Sequence, residues 1–317
     1  MSLSVLGAGA FGTSLAIALA RNGHDVVLWG RGEAQMQTMQ TTRDTGHRLP
    51  GHQLPESVLA TCDLRDTDSD ALLLCVPMQG LADFAGQLEC RAKTLVACCK
   101  GVDRQTGLGP VATLRARQPS CQAAMLTGPS FAQDIAVGLP TALVLACEDE
   151  ACAQKLQDAL SRPALRIYRS TDVVGAELGG ALKNVIALAA GVTIGAGLGD
   201  SARASVIARG FAEIARYATS KGAALETLQG LSGLGDLVLT CTSDKSRNFA
   251  AGVALGQGVK PMEETIEGMA TAQAVAADAT KLGLDLPLVQ TVSKVVSGSL
   301  DIPSAVATLM ARPVGKE

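Results

Sequence analysis

Short, unbroken apolar runs alternate with helix-period segments through the first half of the chain. The runs at 3–6, 25–29, 58–61, 71–76, 94–98, 123–126, 141–146 and 166–168 are each bounded by turn-forming or polar residues. Runs of this kind predict strands covered on both faces. Between the first two, 12–21 has the pattern of a helix and stops at Asn22-Gly23, a usual C-terminal pair. Strand and helix in alternation predict a doubly wound, Rossmann-like α/β domain over 1–172. Beyond 172 the pattern changes to alanine-rich segments of helical period at 173–192, 202–220, 247–256, 269–282, 287–297 and 303–311, separated by glycine-rich loops. No strand is expected there, so 173–317 reads as an all-α domain. A helix running unbroken across the boundary would leave a cleft beside it, where small-molecule sites form.

Composition narrows the partners. A net charge of −3 and a stock of only one Trp, two Tyr and five Phe disfavour nucleic acid, which attracts basic surfaces and stacking rings. Nine cysteines, an odd number with no C-x-x-C, make neither a disulfide framework nor a zinc site. Cys75 and Cys147 sit in apolar runs and read as small hydrophobes. A reducing cytoplasm is expected. His24, His47 and His52 form no ligand pattern, so no protein-held metal is expected. Residues 1–20 carry no charge, but they lack a basic leader and contain Gly7, Gly9 and Gly12. The apolar stretch 181–199 contains Lys183. Neither is read as a membrane segment.

The first run leads into Gly7-Ala8-Gly9-Ala10-Phe11-Gly12, a G-x-G-x-x-G between a strand and a helix. Gly7 allows the tight turn, Gly9 lets backbone approach a pyrophosphate, and Gly12 allows close helix–strand packing. The helix N-terminus offers its amides to the anion. This is a dinucleotide-binding loop. The second strand ends Leu28-Trp29-Gly30-Arg31, without the carboxylate that usually holds an NAD ribose. Arg31 suits a 2′-phosphate, which favours NADP(H) with NAD(H) as the alternative; its other reading is a solvated loop charge.

Two further clusters carry chemistry. In Glu177-Leu178-Gly179-Gly180-Ala181-Leu182-Lys183-Asn184, two glycines lie one turn before a lysine on the same helix face. Each costs about 1 kcal/mol against alanine, so something must come close there, and a nicotinamide with its substrate would fit. Lys183 then reads either as a proton donor to a carbonyl oxygen or as a lysine snorkelling from an apolar helix. Downstream lie Gly233-Leu234-Gly235-Asp236 and Ser246-Arg247-Asn248. Ser246 suits an N-cap, leaving the following amides and the Arg247 fork for a phosphate. The plainer reading is a helix start with a surface charge.

Together, in this order, these motifs resemble the bacterial NAD(P)-dependent sn-glycerol-3-phosphate dehydrogenase family. The likeness runs nearly end to end and includes Lys100-Gly101, Gly128-Pro129-Ser130-Phe131-Ala132, the run from Gly233 through Thr240-Cys241-Thr242, and Glu267-Gly268. The resemblance implies a Rossmann-like domain followed by a helical one. It implies reduction of dihydroxyacetone phosphate for phospholipid synthesis, by a cytoplasmic homodimer. Lys183 would be the catalytic proton donor and acceptor, oriented and held charged by Asp236. Lys100, Gly128, Ser130, Lys183, Asp236, Ser246, Arg247 and Asn248 would surround the substrate. Gly7, Gly9, Ala10, Phe11, Gly12, Arg31, Lys100, Ala132, Arg247, Thr265 and Glu267 would contact the cofactor. Cys98-Cys99 stands where small or hydroxylated residues are usual, and both are expected to be buried thiols. A 3-hydroxy acid dehydrogenase of the same architecture is the nearest rival, but a carboxylate substrate would not require Ser246-Arg247-Asn248. A catalytically silent sensor would not require Lys183, Asp236 and Arg247 together.

Overall fold

A computed structural model describes residues 1–21, 23–89, 92–261 and 266–311. The chain divides into two compact units, the first holding Met1–Asp103 and Leu108–Glu177, the second Arg104–Gly107 and Leu178–Glu317.

The first unit is built on eight strands: β1 (Leu3–Leu6), β2 (Val26–Trp29), β3 (Val58–Thr61), β4 (Ala71–Leu74), β5 (Thr94–Ala97), β6 (Gln122–Thr127), β7 (Thr141–Ala146) and β8 (Leu165–Ser170). They lie in the order β3-β2-β1-β4-β5-β6-β7-β8. Helices α1 (Ala10–Ala20), α2 (Glu33–Thr42), α3 (Met78–Gln87), α4 (Pro110–Arg117), α5 (Ala132–Val137) and α6 (Glu150–Leu160) connect them. Successive side chains of a strand point to opposite faces. Leu3 and Val5 of β1 accordingly join a core with Leu15, Ile17 and Leu19 of α1, while Leu6 joins another with Met78 and Leu81 of α3. Both faces of β1 are covered, as its unbroken apolar run predicts, whereas the edge strands β3 and β8 leave Leu59, Arg166 and Tyr168 exposed.

Every pairing is parallel except β6 with β7. Apolar runs carry no record of direction, and this reversal was not anticipated. Strand limits differ from expectation by a residue or two. The fourth run stops at Leu74 because Pro77 opens α3, although the Cys75 amide still donates to the Leu6 carbonyl at 2.7 Å. Strand order reverses direction across β1, whose neighbours are β2 and β4. The crevice outside the carboxyl ends of β1 and β4 is therefore the switch point where doubly wound sheets take ligands.

Helix α7 (Val173–Gly195) begins in the first unit and continues into the second. It is long and apolar enough to cross a membrane, but 78% of its most apolar window is buried in the protein, as in a core helix. The second unit adds α8 (Gly199–Ser220), α9 (Leu225–Gln229), α10 (Asp236–Cys241), α11 (Arg247–Gly256), α12 (Glu267–Leu282), α13 (Pro287–Val296) and α14 (Ile302–Met310), with no strand among the described residues. Residues 225–241 were read as glycine-rich loop. They instead form α9, a π-helical turn over Leu231–Gly235, and α10.

Small residues let α7 and α11 touch backbone to backbone. A Cβ on Gly191 would lie 2.1 Å from the Phe249 carbonyl oxygen, and one on Gly252 would lie 2.2 Å from that of Leu188. That contact fixes where α11 begins relative to α7. The buried Glu213 carboxylate, whose pKa burial pushes up, accepts the Leu288 and Val289 amides at 2.7 and 3.0 Å and caps α13.

Candidate active site

The glycine loop lies at the switch point. Gly7 has φ +125°, and a Cβ there would lie 2.5 Å from the Cys75 carbonyl oxygen. A Cβ on Gly12 would lie 2.1 Å from the Gly7 oxygen, so those two glycines are demanded by the protein's own packing. Gly9 differs. A Cβ there would meet nothing within 4 Å, although Gly9 is the N-cap of α1. No side chain caps α1 and its first turn holds no acid. Open space over unoccupied helix amides, with no repelling carboxylate, fits a pyrophosphate. Ala10 and Phe11 open α1, Ala132 opens α5, and the two helices pack together, with Phe11 and Ala132 against one core. Arg31, two residues past β2, is exposed.

Three predicted substrate residues converge in the same unit. Gly128, at φ +126° just past β6, turns its carbonyl so that Lys100 Nζ donates to it at 3.1 Å and Ser130 Oγ at 3.2 Å. Lys100 follows β5 by three residues, carried there by the buried pair Cys98 and Cys99.

In the second unit Lys183 is 7% exposed and Asp236 only 1%. Lys183 Nζ lies 2.6 Å from Asp236 Oδ1 and donates to Thr240 Oγ1 at 2.7 Å. Asp236 opens α10 and Thr240 lies one turn later, a spacing that puts both on one face. Gly179 explains how α10 arrives. Its missing Cβ would lie 2.8 Å from the Ser232 oxygen and 3.1 Å from Gly233 Cα. A close approach expected there is thus made by the backbone of the π-helical turn. π-Helical turns commonly occur at functional sites, and this one sets Asp236 against Lys183.

A second network begins at the next residue of α7. Asn248 Nδ2 donates to Asn184 Oδ1 at 3.0 Å, Asn184 Nδ2 donates to Glu267 Oε2 at 3.4 Å, and the Gly268 amide donates to Asn248 Oδ1 at 2.9 Å. Asn248 and Glu267 are therefore joined through Asn184. Ser246 caps α11, its Oγ accepting the Phe249 amide at 3.2 Å, and Arg247 stands exposed in the first turn. Thr265 lies outside the described residues. Thr240 and Asn184 were not singled out from sequence. Each lay inside a motif, but nothing local marks a threonine or asparagine whose partners come from distant helices.

Residues 2–153 match the N-terminal domain, and residues 172–307 the C-terminal domain, of NAD-dependent glycerol-3-phosphate dehydrogenase. A glycerol-3-phosphate dehydrogenase [NAD(P)+] of Ruegeria sp. is 51% identical over the whole of both chains. One from Jannaschia sp. is 52% identical, again over the whole of both. Among solved structures, a glycerol-3-phosphate dehydrogenase from Coxiella burnetii has a TM-score of 0.92 and 34% identity, covering 98% of this chain and 99% of its own. A Plasmodium falciparum glycerol-3-phosphate dehydrogenase, 18% identical, shares the fold with a TM-score of 0.87 over 100% of this chain and 97% of its own. With both domains matched and half the residues shared over full length, the chain belongs to the NAD(P)-dependent glycerol-3-phosphate dehydrogenase family.

Proposed function

We propose that, in this NAD(P)-dependent glycerol-3-phosphate dehydrogenase, Lys183 gives and takes the proton at the substrate's central oxygen. The observation that carries this reading is a buried lysine fixed by two partners, Asp236 Oδ1 and Thr240 Oγ1. A flexible four-carbon side chain is costly to order, and these two partners hold the ammonium in one place. The bound nicotinamide supplies or accepts the hydride at the carbonyl carbon. In reduction Lys183 donates one proton to the ketone oxygen and is reprotonated from water. In oxidation it accepts the hydroxyl proton, so hydride and proton together balance ketone against alcohol. Asp236 orients the ammonium, and Thr240, accepting a hydrogen bond, fixes its rotation.

The phosphate of dihydroxyacetone phosphate or sn-glycerol 3-phosphate is assigned to Arg247 and the capped start of α11, with Ser246 and Asn248 holding that turn in place. The exposed guanidinium and the absence of acid in the first turn of α11 support this. Lys100, Gly128 and Ser130 form the substrate and cofactor contacts of the first unit. The Gly7, Gly9 and Gly12 loop, with Ala10, Phe11 and Ala132, takes the dinucleotide, and Glu267, tied to Asn184, is a further residue assigned to the cofactor. An exposed Arg31 at the end of β2, where an acid would select NAD, supports NADP(H) as the preferred form. Eight described cysteines are free thiols, which suits a cytoplasmic enzyme supplying glycerophospholipid synthesis. The homodimer is inferred from the family.

The test is oxidation of NADPH and of NADH with dihydroxyacetone phosphate, run beside unphosphorylated dihydroxyacetone and repeated with Arg247→Ala. Loss of the preference for the phosphorylated ketone in that variant supports the assignment. An unchanged Michaelis constant for it rejects Arg247 as the phosphate ligand.

A further inference from the structure

Two of the free thiols meet at a corner of the sheet that the reaction does not use. Cys147 follows β7, and Cys152 lies in the first turn of α6. Asp149, the N-cap of α6, accepts the Cys152 amide at 2.7 Å. Cys152 Sγ lies 3.6 Å from Thr94 Oγ1 at the start of β5, and Cys147 Sγ lies 3.9 Å from the Ala123 carbonyl oxygen of β6. Leu95 pairs with Ala123 across these strands, so both sulfurs sit over adjoining residues of the sheet and interact with each other. Cys147 is 1% exposed whereas Cys152 is half-buried, so one sulfur is presented outward and its partner lies behind it.

We propose that Cys147 and Cys152 are a redox-active dithiol that reacts with low-molecular-weight disulfides, Cys152 attacking and Cys147 resolving. The Cys152 thiolate attacks one sulfur of R–S–S–R, forming a mixed disulfide and releasing one RS⁻. The Cys147 thiol then loses its proton and attacks the Cys152 sulfur, closing the Cys147–Cys152 bond and releasing the second RS⁻. The protein loses two electrons and the external disulfide gains them, ending as two thiols.

Three features of the corner divide the roles. The hydrogen bond from Cys147 and that from Thr94 favour the Cys152 thiolate and, against partial burial, bring its pKa down to about 6. Asp149 opposes that charge and Lys155, one turn on, favours it. The same sulfur–sulfur hydrogen bond, with burial, pushes Cys147 well above the ordinary thiol range, so it stays protonated until the mixed disulfide forms. A thiolate in the first turn of a helix also faces the helix amides.

A second pair of interacting thiols, Cys75 and Cys98, is different in kind. It lies at the carboxyl ends of β4 and β5, beside the glycine loop, and Cys98 is buried and held protonated by the Cys75 hydrogen bond and by burial. The Cys147–Cys152 corner is at the amino end of β5, the opposite edge of the sheet from Gly7 and Lys100. Oxidation there leaves the dinucleotide loop undisturbed.

The experiment treats the full chain with glutathione disulfide at neutral pH, blocks the remaining thiols and maps the peptides, with NADPH binding measured on the same sample. An internal Cys147–Cys152 disulfide with NADPH affinity unchanged is expected. Cys147→Ser, which lacks the resolving sulfur, should stop at a mixed disulfide on Cys152. On untreated protein, alkylation of Cys152 should level off above about pH 6. At pH 6 it should run about tenfold faster than that of the exposed Cys62, the gain in thiolate outweighing the lower nucleophilicity of a more acidic thiol. Cys152 reacting no faster than Cys62 at pH 6, no internal disulfide, or a bond joining Cys75 to Cys98 instead would each overturn the proposal.

Discussion

Lys183 Nζ lies 2.6 Å from Asp236 Oδ1, an ion pair between side chains that are 9% and 1% exposed. Buried pairs seldom add net stability, because desolvation consumes the Coulombic gain, yet stranding one partner is expensive. Asp236→Ala should therefore cost about 3–5 kcal/mol of unfolding free energy. The double substitution Lys183→Met with Asp236→Leu should recover most of that loss while leaving no turnover. Denaturant unfolding of the three proteins checks it. A double variant as unstable as the single one would mean that the pair serves the fold rather than the reaction.

Gly179 gives a test with a definite sign. In an ordinary helix interior, glycine to alanine gains about 1 kcal/mol. Here the new methyl would lie 2.8 Å from the Ser232 oxygen, backbone that cannot swing aside. Gly179→Ala should destabilise by about 1–3 kcal/mol, the range for overpacking, and lower turnover by shifting Asp236 away from Lys183. A stabilised, fully active variant would show that the π-helical turn does not set this geometry.

Glu177 links pH to stability. Its carboxylate accepts the Val111 amide at 2.5 Å at the start of α4, and burial lifts its pKa to about 7. Unfolded, it would titrate near the ordinary carboxylate value of 4.5. Between these values the folded state holds the extra proton, so stability should fall as pH rises from about 4.5 to about 7 and stay lower above. Urea midpoints across that range should show the decline. Glu177→Gln, which cannot ionise, should flatten it, and an unchanged slope in that variant would place the titration elsewhere.

Arg31 decides the cofactor reading. Arg31→Ala should weaken NADPH binding by about 1.5–3 kcal/mol, the usual worth of hydrogen bonds to a charged group, and leave NADH within twofold or so. Fluorescence titration of both cofactors reads this directly. Equal loss for both would make Arg31 a general contact, and no loss would leave it a solvated loop charge.

The apolar runs made the strands legible, because a central strand covered on both faces needs unbroken hydrophobes, and even the edge strands β3 and β8 keep one buried apolar face. They could not show that β7 runs against β6, since direction leaves no trace in hydrophobicity. Ser246 was readable as a cap because capping is local. Thr240 and Asn184 were not, because their roles arise when α10, α11 and α12 meet α7. The glycines misled in one instructive way. Gly179 correctly signalled a close approach, but the approaching group is backbone, and 231–241 is helical where glycine density suggested a loop.

The central claim is that Lys183 handles the proton and does little else. The measurement that tests it most directly is Lys183→Ala assayed in parallel for turnover of dihydroxyacetone phosphate and for NADPH dissociation constant, with wild-type folding verified. Turnover should fall by at least about 10²-fold, the scale of a lost general acid, with cofactor affinity nearly unchanged. Turnover within a few-fold of wild type in a folded variant would contradict it.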